Sequence, residues 1–196
     1  MSNYVITCCS TADMPASYFE EKKVPYACFH FLLNGKEYPD DLGKSISFAE
    51  FYQMIADGAQ PTTAQVNVEQ YMNLFEPILK EGRDVLHLAL SSGISGTVNS
   101  ANMAKTQMEE KYPERKVVVI DSLAASSGFG LLVDKALENQ EKGMSLEENA
   151  RWIEENKNKL HHWFFSTDLT SFIRGGRISK VSGFFGQALN ICPLMN

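Results

Sequence analysis

The stretch from Val85 to Gln107 constrains this chain more than any other: the apolar run Val85 to Leu90, then Ser91-Ser92-Gly93-Ile94-Ser95-Gly96-Thr97, then a helical pattern from Val98. The apolar run is too short for a globular helix and fits a buried strand. Behind it, Thr97, Ala101, Ala104 and Met108 recur at helical spacing on one face. The reading is a strand, a tight turn and a helix N-terminus. Such a turn aims backbone N–H groups and the positive end of the helix dipole at one point, which favours an anion.

The rest of the chain repeats that alternation. Tyr4 to Cys9 reads as a first strand, closed by Ser10 to Pro15, with Pro15 at the first position of a helix over Ser17 to Lys22. A second strand is expected from Tyr26 to Leu33, broken by the turn dipeptide Asn34-Gly35. Ser47 and Glu50 predict a capping box for a helix with Phe48, Phe51, Tyr52 and Ile55 on one face, ended by Asp57-Gly58. Pro61 to Gln65 reads as a polar loop before a helix whose stripe is Tyr71, Leu74, Phe75, Ile78 and Leu79, with Pro77 kinking it or marking its last turn. Val117 to Ile120 is a buried strand, and Ser126-Ser127-Gly128 leads into a helix with Phe129, Leu132, Val133, Ala136 and Leu137 inward. Ser145 and Glu148 predict a second capping box, for a helix carrying Leu146, Ala150 and Ile153.

Strands alternating with helices predict an α/β fold, a Rossmann-like parallel sheet with helices on both faces. Ligands in such sheets sit beyond the carboxyl ends of the strands. Ser10 to Asp13, Ser91 to Thr97 and Asp121 to Ser127 converge there by topology, and Thr62 to Gln65 precedes a helix that can join them. After Lys159 the texture changes. His161 to Ser166 resembles a strand, Arg174-Gly175-Gly176-Arg177 a sharp turn, and Val181, Phe184, Phe185, Ala188 and Leu189 a last helix. The expected division is an N-terminal α/β domain over 1–160 and the start of a second α/β domain over 161–196.

Composition excludes several classes. With 196 residues and 44% hydrophobic content a substantial core is available. A net charge of −6 and scattered Lys and Arg give no basic stripe for nucleic acid. Nothing at the N-terminus resembles a signal peptide, and no apolar run approaches the roughly 20 residues of a membrane span. These features predict a cytoplasmic protein. Cys8, Cys9, Cys28 and Cys192 form no C-x-x-C pair and have no histidine partners at ligand spacing, so reduced thiols are expected and no metal or other cofactor.

Taken together, Ser91 to Thr97, Thr62-Thr63-Ala64-Gln65, Val119-Ile120-Asp121-Ser122 and Arg174-Gly175-Gly176-Arg177-Ile178-Ser179 resemble motifs of the DegV family of bacterial fatty-acid-binding proteins. The chain departs from the family pattern at Cys9, where an Asp is usual, at Ala64, where a Ser is common, and at Val66, where a Pro is usual. The resemblance implies a two-domain protein that holds one long-chain fatty acid, the tail in a tunnel and the carboxylate near the sheet's ligand edge. By motif, Thr63 and Ser95 carry over as carboxylate hydrogen-bonders, with Thr62, Ser92 and Gly96 beside them and Arg177 near the exposed head group. Some members deliver the acid to a fatty acid kinase, which phosphorylates the carboxylate. Members also use a histidine far toward the C-terminus, and this chain ends at Asn196, short of that point, so the second domain is expected to be incomplete.

Each residue also has a plainer reading. Ser95 can be a helix N-cap, and Thr63 likewise caps the helix after its loop. Asp13 and Asp121 are expected to bond loop N–H groups, since a bare carboxylate repels a bound anion. Arg174 and Arg177 can be solvated loop residues. His87 alternates with Val85 and Ala89 and reads as a satisfied core histidine; His30, His161 and His162 receive no chemistry. Phe164, Phe165, Phe172, Phe184 and Phe185 are ordinary core or line an acyl tail. Two alternatives to fatty-acid binding remain: a serine hydrolase using Ser95, though Gly93 to Thr97 is not G-x-S-x-G, and phosphate or nucleotide binding, though no P-loop lysine is present.

Overall fold

The computed structural model describes residues 3–179, 192, 194 and 195. The chain divides into two compact units, Met1–Leu160 and His161–Asn196.

The first unit is built on four parallel strands: β1 (Tyr4–Cys9), β2 (Tyr26–Ala27), β6 (Asp84–Ala89) and β7 (Val117–Asp121), in the order β2-β1-β6-β7. Its helices are α1 (Ala16–Lys22), α2 (Phe48–Ala56), α3 (Val68–Lys80), α4 (Thr97–Lys111), α5 (Ser126–Glu141) and α6 (Leu146–Asn156). The strand order reverses between β1 and β6, so their carboxyl ends open onto a switch point of the sheet. The α3 and α4 helices pack together, as do α5 and α6, giving the helix-covered parallel sheet expected from the alternation. The predicted inward faces of α4 and α5 are buried, from Thr97 to Met108 and from Phe129 to Leu137. Gly130 has a reason to be glycine: a Cβ there would lie 2.5 Å from the Ala12 carbonyl, where α5 crosses the 3-10 turn Ser10–Ala12.

Three readings are corrected in this unit. The strand expected over Tyr26 to Leu33 breaks at Cys28-Phe29. Tyr26 and Ala27 pair parallel with Cys8 and Cys9, whereas β3 (His30–Leu33) turns away to pair antiparallel with β4 (Lys36–Pro39). The turn at Asn34 (φ 51°) and Gly35 (φ 80°) closes the β3–β4 hairpin. The polar loop at Pro61 to Gln65 is also partly a strand. Thr62–Ala64 forms β5 on the other edge of β3, making a three-stranded antiparallel sheet in the order β4-β3-β5. Its two β-branched threonines suit that pairing. Near the N-terminus, Pro15 is the cap rather than the first residue of α1.

Helix boundaries follow local chemistry. Ser47 Oγ accepts from the Glu50 amide at 3.1 Å, and the Ser145–Glu148 capping box is complete. Pro77 marks the last turn of α3, which ends at Lys80. The stripe of α2 is less covered than expected: Phe51 packs its ring 5.0 Å from that of Phe31, while Phe48 and Tyr52 remain exposed. At the start of α3 a capping box unread in the sequence joins Asn67 and Gln70, whose amides each donate to the other's side chain at 2.8 and 2.9 Å. Asn67→Ala is expected to destabilise the protein by about 1 kcal/mol, seen as a lower urea midpoint with an unchanged m-value.

In the second unit only Phe164–Phe165 of the expected His161 to Ser166 strand is extended. It forms β8 and pairs antiparallel with β9 (Leu194–Met195). Between them α7 (Thr170–Arg174) stops at Gly175-Gly176, where Gly176 takes φ 75°. The helix expected around Val181, Phe184, Phe185, Ala188 and Leu189 lies outside the described residues.

Candidate functional site

β1, β6 and β7 run parallel, so the segments that follow them emerge at one edge of the sheet. Two of those segments are fastened to each other. The Ser91 amide donates to the Ala124 carbonyl and the Ser122 amide to the Ala89 carbonyl, both at 3.1 Å. Asp121 Oδ1 accepts from the amides of Ser92 and Leu123, each at 3.1 Å. Asp121 is therefore a staple between the β6–α4 and β7–α5 turns, which is the structural role expected of it. Lys157 Nζ donates to the Asp121 carbonyl at 2.9 Å, closing the same strand end.

The Ser91 to Gly96 turn bonds mostly to itself. The Ser91 carbonyl accepts from the amides of Ile94 and Ser95, and Ser91 Oγ accepts from the Gly93 amide, all at 3.2 Å. Ser95 Oγ then accepts from the Thr97 amide at 3.3 Å. It serves the helix start from one position before Gly96, which is the cap residue and offers no side chain. A hydroxyl that accepts one such bond still has a proton to donate. Gly96 and Val98 have no amide acceptor among the described residues, as expected for the first turn of a helix. α4 is 15 residues long, so its dipole adds positive potential at the half-buried Ser95.

The Thr62 to Gln65 segment reaches this turn through Gln65. Gln65 Nε2 donates to Ser100 Oγ at 3.3 Å, and its Oε1 lies 2.7 Å from where a Gly96 Cβ would be. A side chain at 96 would displace that amide. Thr63 stands two residues before Gln65, exposed, in the middle of β5 opposite Phe31; Thr62 is exposed opposite Leu32. Ser92, Ser95 and Gly96 thus share one turn, with the end of β5 tied beside it. Arg177 belongs to the second unit, where its Nη1 donates to the Gly175 carbonyl at 2.6 Å.

Beneath the turn runs a fully buried chain of polar atoms. Thr97 Oγ1 is 2.7 Å from Tyr71 Oη, which is 3.2 Å from Cys9 Sγ. Cys9 Sγ lies 3.9 Å from His87 Nε2, and His87 Nδ1 is 2.9 Å from Thr7 Oγ1. Burial pushes the Cys9 thiol up to about 11 and the Tyr71 phenol well above its usual range. Burial lowers His87 to about 3, so the imidazole is neutral. The core reading of His87 holds, with rings of Tyr71 and Phe75 set edge-on at 4.9 and 5.3 Å. His30 bonds to Gln70 Nε2 instead. Tyr71 was legible only as part of an apolar stripe; the one signal was its hydroxyl, which a buried tyrosine has to satisfy.

Residues 4–196 match the model of the DegV family, whose description is that of an uncharacterised protein. A DegV domain-containing protein of Clostridium perfringens is 37% identical over 195 residues, covering 100% of this chain and 67% of that protein. Among solved structures, a fatty-acid-binding DegV family protein from Thermus thermophilus superposes with a TM-score of 0.81 at 32% identity, over 98% of this chain and 66% of that one. A stearic-acid-binding protein from Eubacterium ventriosum gives 0.79 at 30% identity, over 91% and 61%. The chain therefore spans about two thirds of the length of these relatives.

Proposed function

The chain belongs to the DegV family, and from that membership and the turn at its sheet edge we propose that it binds a long-chain fatty acid whose carboxylate is held by Thr63 and Ser95. The carrying observation is the state of Ser95: its oxygen already accepts the Thr97 amide, so its proton is the group left to offer, beside the amides of Gly96 and Val98. A carboxylate has only acceptors and matches that set. Each charge-assisted bond to it contributes about 1.5 to 3 kcal/mol. Thr62, Ser92 and Gly96 complete the head-group surroundings in this reading. The bound acid is then presented to a fatty acid kinase, which phosphorylates the carboxylate.

The hydrolase alternative needs a base on Ser95. The nitrogens of His87 face Thr7 and Cys9, and His30 bonds Gln70, so neither described histidine of the first unit serves Ser95. Phosphate would meet the same donors as a carboxylate, and the test has to separate the two. Native mass spectrometry of the purified protein, followed by organic extraction, is expected to show a mass excess equal to a long-chain fatty acid. Delipidation removes it and hexadecanoate restores it. Thermal stabilisation by phosphate or nucleotide, with no acyl chain extracted, overturns the reading.

A further inference from the structure

We propose that Tyr71 is a positioning residue for carboxylate recognition: its phenol oxygen fixes the first turn of α4 through Thr97 and so aims the Ser95 hydroxyl. The proposal rests on the fatty-acid reading above. Three elements meet at that one oxygen: the end of β1 through Cys9 Sγ, α3 through the tyrosine itself, and the first residue of α4 through Thr97 Oγ1. All three side chains are fully buried, so no water competes for these bonds. Thr97 in turn holds Ser95 from the other side, because its amide donates to Ser95 Oγ. The order of action is Tyr71, Thr97, Ser95, and then the ligand.

The geometry explains why a phenol is needed. Thr97 Oγ1 faces inward rather than toward the sheet edge, and a buried hydroxyl without a partner costs about 1 to 3 kcal/mol. A rotation of the first α4 turn would break its bond to Tyr71 and swing the Ser95 oxygen with it. The Tyr71 ring is held independently, stacked 5.6 Å from Phe75 and edge-on to His87. Tyr71→Phe keeps those contacts and removes only the oxygen.

Affinities of Tyr71→Phe for hexadecanoate and for 1-hexadecanol separate positioning from packing. The expected result is about a tenfold loss for the acid, with the alcohol little changed, since a charged acceptor depends more on donor direction. Thr97→Val is expected to give the same loss, and the double variant no more than either single one, because all act through one chain. Exchange of the Thr97 amide, which is bonded to Ser95 Oγ, is expected to accelerate in ligand-free Tyr71→Phe. Equal losses for acid and alcohol, additive losses in the double variant, or unchanged acid affinity each overturn the proposal. Should the parent protein bind neither probe, the fatty-acid reading fails on its own. The carboxylate role of Tyr71 falls with it, and the exchange measurement then tests only the anchoring of the first α4 turn by Tyr71, which faster rates support and unchanged rates end.

Discussion

Ser95→Ala is expected to weaken hexadecanoate binding by about 10- to 100-fold, which is one charge-assisted hydrogen bond of about 1.5 to 3 kcal/mol expressed as affinity. The substitution removes the donor proposed for the carboxylate and also the acceptor of the Thr97 amide. Ser95 is itself only half-buried, so water can take the place of its lost oxygen beside that amide, the stability cost is about 0.5 to 1 kcal/mol and the fold survives. Thr63→Val, which keeps the β-branched shape on an exposed strand position, is expected to lose a similar factor with less effect on stability. Calorimetric titration with delipidated protein checks both. Parent-like affinity in Ser95→Ala would remove that residue from the head-group site, and labelling of Ser95 by a fluorophosphonate would move it to the hydrolase class.

Acid is expected to destabilise the protein through His87 well before its carboxylates matter. The unfolded chain takes a proton on this imidazole near the ordinary histidine value of about 6.5, whereas the folded chain resists until about 3 because burial excludes the charged form. The unfolded state thus binds more protons below pH 6.5, and stability is full above that value. It falls by about 1.4 kcal/mol per pH unit beneath it, roughly 3 kcal/mol by pH 4.5. Lys111 and Tyr112 hold Glu76 down to about 2, so its contribution is lost only at lower pH. Asp40, raised by burial, binds its proton more readily when folded and works in the opposite sense as pH drops. Urea midpoints at pH 7.0, 5.5 and 4.5 are expected to decline in the parent and to flatten in His87→Gln. A parent slope equal to that of His87→Gln would show that the imidazole is protonated or solvated in the folded chain.

The fold was legible wherever near neighbours decide the outcome. The parallel strands β1, β6 and β7, the inward faces of α4 and α5 and the capping box at Ser145 follow from periods of two and 3.6 and from bonds spanning three residues. The candidate site was legible as a turn: Ser91 to Thr97 behaves as a strand-to-helix junction, with Ser95 serving the helix start. The capping box at Asn67 was missed because Asn and Gln form the same pair as Ser and Glu without its usual letters. The antiparallel sheet was missed because β5 is three residues long, too short to show a period, and gains its extended shape from β3.

Sequence alone determined which segments are strands or helices over most of the first unit, which faces turn inward, and that an electropositive turn follows β6. Only the tertiary structure decided what meets at that turn. Asp121 reaches across to the Ser92 amide, Gln65 arrives from a second sheet to lie against Gly96, and Tyr71 joins Cys9 to Thr97 across 62 and 26 residues of chain. The physical reason is one of range. Helical and strand periods are set by hydrogen bonds and side-chain spacing within a few residues, whereas a buried phenol or carboxylate finds its partner only after the core has closed and excluded the water that would otherwise satisfy it.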